Sequence, residues 1–148
     1  MALLGGGVGG AGNPVGGIFT GPAEALEIIG DHAYAFANVV GASASALTRF
    51  DFTSGNYYFV GRVTCNGSAD ITGVGNGNTT VFALSFNGTE VCRMKTETEA
   101  GGPEESTVYN DIIIPPYTQV ELTSISNGND ATRKTSCILT GRIYRRSS

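Results

Sequence analysis

The chain has 148 residues, with 22 glycines, no tryptophan, 15% charged residues and a formal net charge of −4. A single domain is the default at this length, large enough to bury ~70% of its unfolded surface. The acidic balance excludes a nucleic-acid binder that works through a basic surface, and no apolar run reaches the ~18 residues of a membrane span.

Residues 1–17, MALLGGGVGGAGNPVGG, include eight glycines and cannot build a core. Glycine has no Cβ, so such an arm can lie flat on another backbone, although ordering it is entropically costly. The segment reads as an arm that gains order on a partner. Gly5, Gly6, Gly7, Val8, Gly9, Gly10, Asn13, Pro14 and Val15 are its contact candidates. Its start is Gly-rich rather than basic and then apolar, so no secretory signal is read there. Synthesis in a reducing cytoplasm follows. Residues 18–148 read as the folded domain.

Ile18–Thr20 is a short extended piece closed by the Gly21-Pro22 turn. Ala23–Ile29 reads as a short strand and Ala33–Val40 as a longer one; Gly41 to Ala46 make a loose connection. Leu47–Thr53 alternates with period two, placing Phe50 and Phe52 on one face and Arg49 and Asp51 on the other. Tyr57–Cys65 is a long strand with Tyr57, Phe59, Val63 and Cys65 sharing a face. Asn66–Asn78 reads as a glycine-rich loop.

Thr79–Phe86 turns Phe82, Leu84 and Phe86 inward, and Asn87-Gly88 joins it to Thr89–Thr98. Asn-Gly between two alternating runs predicts a type I′ hairpin, since both turn positions need positive φ. An acidic loop, Glu99–Ser106, precedes Thr107–Ile114, and Pro115-Pro116 stops that strand because proline cannot donate a ladder bond. Thr118–Ser126, the Asn127–Asp130 turn and Thr135–Tyr144 complete the chain. About eight strands with turns every ~8–12 residues predict an all-β antiparallel sandwich, a jelly roll with an extended N-terminal arm. An immunoglobulin-like sandwich is the next choice, but its core tryptophan is missing.

Catalytic chemistry finds little footing. Gly7-Val-Gly9-Gly-Ala-Gly12 matches a dinucleotide fingerprint in letters only, lacking the strand and helix that motif needs. His32 is the only histidine, and strand neighbours point to opposite faces, so Asp31 is poorly placed to pair with it. Cys65, Cys92 and Cys137 are an odd number of dispersed cysteines, read as small buried hydrophobes rather than a disulfide framework or zinc site. Asp70, Asn76, Asn78 and Asn127–Asp130 are oxygen-rich but form no complete calcium pattern. Glu97/Glu99 and Glu104/Glu105 read as solvated loop carboxylates rather than a glycosidase pair. The sequons at Asn66, Asn78 and Asn87 read as ordinary turn composition. No cofactor, metal or enzymatic activity is expected.

Two features point to association. Tyr34, Tyr57, Tyr58, Tyr109, Tyr117 and Tyr144 offer a stacking platform if they face solvent. Residues 97–111 carry five acidic side chains and no basic one, and residues 131–148 five basic and no acidic, a pairing available between neighbouring subunits.

The glycine-rich arm, the run of strands and the stretch Ile112-Ile-Ile-Pro-Pro-Tyr-Thr-Gln-Val-Glu-Leu122 resemble small jelly-roll structural proteins of virions. The likeness is greatest to the head-decoration, or cement, proteins of tailed bacteriophages. It implies a homotrimer at the capsid surface, made in the host cytoplasm, whose arm contacts the major capsid protein while the sandwich faces outwards. Neither nucleic acid nor membrane is an implied partner. A carbohydrate- or receptor-binding sandwich, fibre-knob or lectin-like, is the alternative, with the tyrosines and the 66–78 loop as its pocket.

Overall fold

A computed structural model describes residues 21–68, 78–98 and 105–145. These residues form ten strands and no helix: β1 (Glu27–Ile29), β2 (His32–Phe36), β3 (Val40–Ala42), β4 (Leu47–Thr53), β5 (Tyr57–Ser68), β6 (Asn78–Phe86), β7 (Thr89–Thr98), β8 (Glu105–Ile114), β9 (Gln119–Ser126) and β10 (Asp130–Arg145). The arm over 1–17, with all its contact candidates, lies outside the described residues. So do residues 69–77 and 99–104.

The strands pair into two antiparallel sheets. One runs β1-β2-β10-β5-β8, with β3 also on β10; the other runs β4-β9-β6-β7. β2 and β3 are two pieces of one edge, since β2 pairs with Ile138 to Arg142 and β3 takes up β10 again at Thr135. Counting that edge once and setting β1 aside leaves eight strands in jelly-roll order, the predicted fold.

The break between β2 and β3 corrects the single strand expected over Ala33–Val40. Ala37 N still donates to Cys137 O (3.1 Å), but Asn38 N turns away to Gly21 O (3.2 Å). β10 starts at Asp130 rather than Thr135 because Asp130 and Lys134 pair with Ala42 and Gly41 of β3, and β5 runs on to Ser68 because Gly67 and Ser68 pair with Ser106 and Glu105 of β8. Gly67 is required there: a Cβ would stand 2.6 Å from Thr96 Oγ1. The β6–β7 hairpin turns as predicted, with Asn87 at φ 51° and Gly88 at φ 82° and Phe86 paired to Thr89.

Alternation buries Phe50, Phe59, Phe82, Leu84, Ile114 and Leu122 between the sheets. Each large apolar side chain removed from water contributes ~1.5–3 kcal/mol. At one end the interior turns polar. Asn78 Nδ2 donates to Thr80 Oγ1 (3.1 Å), and the Thr80 and Ser126 hydroxyls share a 2.7 Å bond. Hydroxyls buried there keep the partners that burial demands.

β4 departs from strict alternation. Its register slips between Thr48 and Phe50, which makes Arg49 the extra residue of a bulge. Arg49 and Phe50 therefore both point inward, at 1% and 0% exposure, correcting the outward position expected for Arg49. Its Nη2 donates to Asn38 O and to Thr135 O (3.3 Å), tying the four-stranded sheet to the other.

Candidate functional site

The side chains on the outer face of the β2-β10-β5-β8 sheet follow from strand register. Tyr58 of β5 stands opposite Tyr144 of β10. The next row is Ile113, Val60, Arg142 and His32, read across β8, β5, β10 and β2. It is followed by Asp111, Arg62, Thr140 and Tyr34, and then by Tyr109, Thr64, Ile138 and Phe36. Eight of these fourteen are apolar or aromatic, and all but Tyr34 and Phe36 of the eight are open to solvent: Ile113 is 59% exposed, Tyr109 56%, Tyr144 55%, Tyr58 and Val60 each 42%, and Ile138 40%. An outward sheet face of an ordinary antiparallel sandwich is polar. A contiguous apolar one marks an interaction surface.

Four polar residues are fixed within this face. Arg62 Nε donates to Asp111 Oδ1 (2.8 Å) and Nη2 to Oδ2 (3.4 Å), and its Cζ lies 4.0 Å from the centre of the Tyr109 ring. The bond from Arg62 holds the Asp111 carboxyl below the usual carboxylate range, and the bond to Asp111 raises Arg62 in return. Both stay charged at neutral pH, and their charges cancel. Arg142 reaches Asp31 in the same way (3.4 Å). Tyr34 and Phe36 lie with ring centres 4.8 Å apart.

A shallow groove of about 720 Å³ runs over this face between Val60, Ile113 and the Arg62–Asp111 pair. A second of about 410 Å³ adjoins it at Thr140, beside Tyr34 and Phe36. The sheet beneath is pinched at Gly61 and Gly141, which face each other. A Cβ at Gly61 would lie 2.3 Å from Thr140 O, and one at Gly141 2.4 Å from Val60 O. The Phe59 ring reaches under both glycines, from the core side.

The predicted tyrosine platform is thus partly assembled. Tyr58, Tyr109 and Tyr144 share the face, with Tyr34 half-buried at its edge. Tyr57 does not join them, because its strand position points it into the core at 8% exposure. Sequence reasoning missed Val60, Ile113, Ile138 and Phe36.

Elsewhere, Asp31 sits in the turn before β2 rather than on a strand, so its Oδ1 does reach His32 Nδ1 (3.0 Å), contrary to the sequence expectation. Asn78 is buried at 4% exposure, which closes its sequon to a glycan. Glu97 pairs with Lys95 (2.9 Å) and Arg133 with Asp130 (3.4 Å). Several charges expected to meet a neighbouring subunit therefore have partners within the chain. Among the described residues no three His, Cys, Asp or Glu side chains converge. Asp70 and Asn76 lie outside them.

No family model and no curated protein matches this chain. Solved structures to which this chain is similar include dimeric latent PorU from Porphyromonas gingivalis, with a TM-score of 0.44 and 12% identity. The likeness covers 86% of this chain, which spans only 14% of that protein. Another is the N-terminal cellulose-binding domain of Cellulomonas fimi β-1,4-glucanase C, with a TM-score of 0.35, 14% identity, and 86% and 87% of the two chains covered. At these scores neither likeness bears on function.

Proposed function

We propose that this chain is a structural subunit of a larger assembly, concretely a virion head-decoration protein. In this reading copies of the chain pack on one another through the outer face of the β2-β10-β5-β8 sheet, and the 1–17 arm docks on the major capsid protein. The observation that carries it is the apolar outer face itself.

Its composition favours a protein surface as the occupant. Val60, Ile113 and Ile138 are branched aliphatics, which pack against other side chains but offer nothing to a sugar hydroxyl. Its charge favours a second copy. Arg62 with Asp111 and Arg142 with Asp31 balance on the face, whereas the chain as a whole carries −4. Two acidic bodies approach each other most easily through a neutral patch, and a patch holding both signs can complement itself. Binding only to an assembled shell would stabilise that shell by mass action.

Light scattering on the purified full chain tests the packing, with a trimer as the expected mass. Dissociation by Val60→Asp with Ile113→Asp supports the reading, and a monomeric parent chain refutes it. For the arm, a chain lacking residues 1–17 keeps the folded sandwich but loses occupancy on capsids; full occupancy refutes that part.

The groove beside Tyr34 and the Tyr58–Tyr144 pair favour one other reading, a carbohydrate- or receptor-binding sandwich. A monomer that binds defined glycans on an array, and loses them with Tyr144→Ala, would establish that reading instead.

A further inference from the structure

Strand register brings together two groups that the function above does not use. Cys65 of β5 and Cys137 of β10 are directly opposite each other. Both are free thiols, both point into the core, and both are fully buried. A residue in an antiparallel strand aims its N–H and C=O to the same side. Cys137 gives its carbonyl to Ala37 N, on the β2 side (3.1 Å). It therefore has no ladder bond to spend on β5, and the Cys65–Cys137 pair is the non-hydrogen-bonded kind. In that kind the Cα atoms lie ~4.5 Å apart and the side chains are closest. The spacing falls inside the ~4.4–6.8 Å window that a disulfide needs.

We propose that Cys65 and Cys137 are the site of a reversible cross-strand disulfide, formed by exchange with a low-molecular-weight disulfide once the protein leaves a reducing compartment. The first thiolate attacks the small disulfide, giving a mixed disulfide and expelling one small thiolate. The second protein thiolate attacks the protein sulfur of that intermediate and expels the other. Two electrons pass from the protein sulfurs to the small disulfide, and the two protons go to the two small thiols released.

The neighbouring Cys137 thiol, together with burial, pushes the Cys65 thiol up. The thiolate is the attacking species, so exchange proceeds from openings of β10 rather than from the closed sandwich. Past the Ala37 N bond to Cys137 O, β10 has no ladder partner on that side until Thr135 meets Val40, and that gap beside Ser136 suits such openings. Once closed, the bond ties together the two strands that carry Tyr58, Val60, Arg142 and Tyr144. The proposal stands whether or not the assembly reading holds.

The test incubates the reduced full chain with glutathione disulfide at neutral pH, in a denaturant series kept below the unfolding transition. Samples are quenched in acid, alkylated unfolded, and read by intact mass and non-reducing peptide mapping. The expected result is loss of two of the three alkylatable thiols without added glutathione mass, and a Cys65–Cys137 cross-linked peptide. The reaction accelerates with denaturant, persists in Cys92→Ser and reverses with dithiothreitol. Three thiols remaining at every denaturant concentration, a glutathione adduct on Cys92 alone, or a cross-link through Cys92 overturns it.

Discussion

On the four-stranded sheet, the outward positions of β9 and β6 hold Gln119, Glu121, Thr123, Ile125, Thr79, Val81, Ala83 and Ser85. The same positions of β5 and β10 in the other sheet hold Tyr58, Val60, Arg62, Thr64, Ile138, Thr140, Arg142 and Tyr144. The inward residues of the two sheets are alike, because both line one core and obey the same demand for apolar surface. Only the outward residues are free to differ, and they do. Ile125 and Val91 are the large apolar side chains open to solvent on one sheet, whereas the other exposes Tyr58, Val60, Tyr109, Ile113, Ile138 and Tyr144 together. The shared core fixes half of each strand and leaves the outward half free to vary.

The comparison breaks most severely if the floor of the apolar face is disturbed. Gly61→Ala puts a methyl 2.3 Å from a neighbouring backbone oxygen, and overpacking against backbone that cannot yield costs about 3 kcal/mol. Urea unfolding of the purified variant measures it, and Thr123→Ala on the opposite face serves as the neutral reference, within about 0.5 kcal/mol.

Next in size is the face's own contribution to association. Val60→Asp with Ile113→Asp weakens self-association at least about tenfold, equivalent to ~1.4 kcal/mol. The matched change Thr123→Asp leaves it unaltered. Sedimentation over a concentration series separates the two, and equal effects on both faces would erase the distinction drawn between them.

Asn87→Ala sharpens the contrast from the polar side. It places an alanine at φ 51° and removes the side-chain acceptor of Gln119 N (2.9 Å). A loss of about 1–2 kcal/mol in folding stability is expected, with no change in association.

The smallest effect belongs to the Arg62–Asp111 pair, which is exposed and screened by water. Its pH dependence has a definite sign. The folded Asp111 carboxyl is held below its ordinary value, so its contribution is present above the unfolded pKa and is lost as pH falls through the folded one. The stability difference between the parent chain and Asp111→Asn therefore stays constant from about pH 5 to 8 and vanishes only in stronger acid. Denaturant midpoints over a pH series read it out.

Much of this architecture was legible in the chain. The bounds of Leu47–Thr53 and Thr89–Thr98 follow from alternation and turn residues, and Asn87-Gly88 named its own turn. The Arg49 bulge was not legible, because one inserted residue inverts the face of a polar side chain without leaving a mark in the pattern. The apolar face was hidden for a related reason. In Tyr57–Val60 and in Ile112–Ile114 both alternating sets are apolar, so periodicity cannot say which set is inside. The Cys65–Cys137 contact depends on which distant strands become neighbours, and no local signal carries that.

The single bridge at Ala23 has a consequence of its own. Ala23 N donates to Arg49 O and Ala23 O accepts from Asp51 N, both at 2.9 Å, on the outer side of β4. At that point the border strand of the four-stranded sheet already has its main-chain groups engaged. An unguarded border recruits further strands without limit and seeds fibres. Here the polypeptide closes part of its own margin, which leaves fewer free main-chain groups there for a foreign strand to extend.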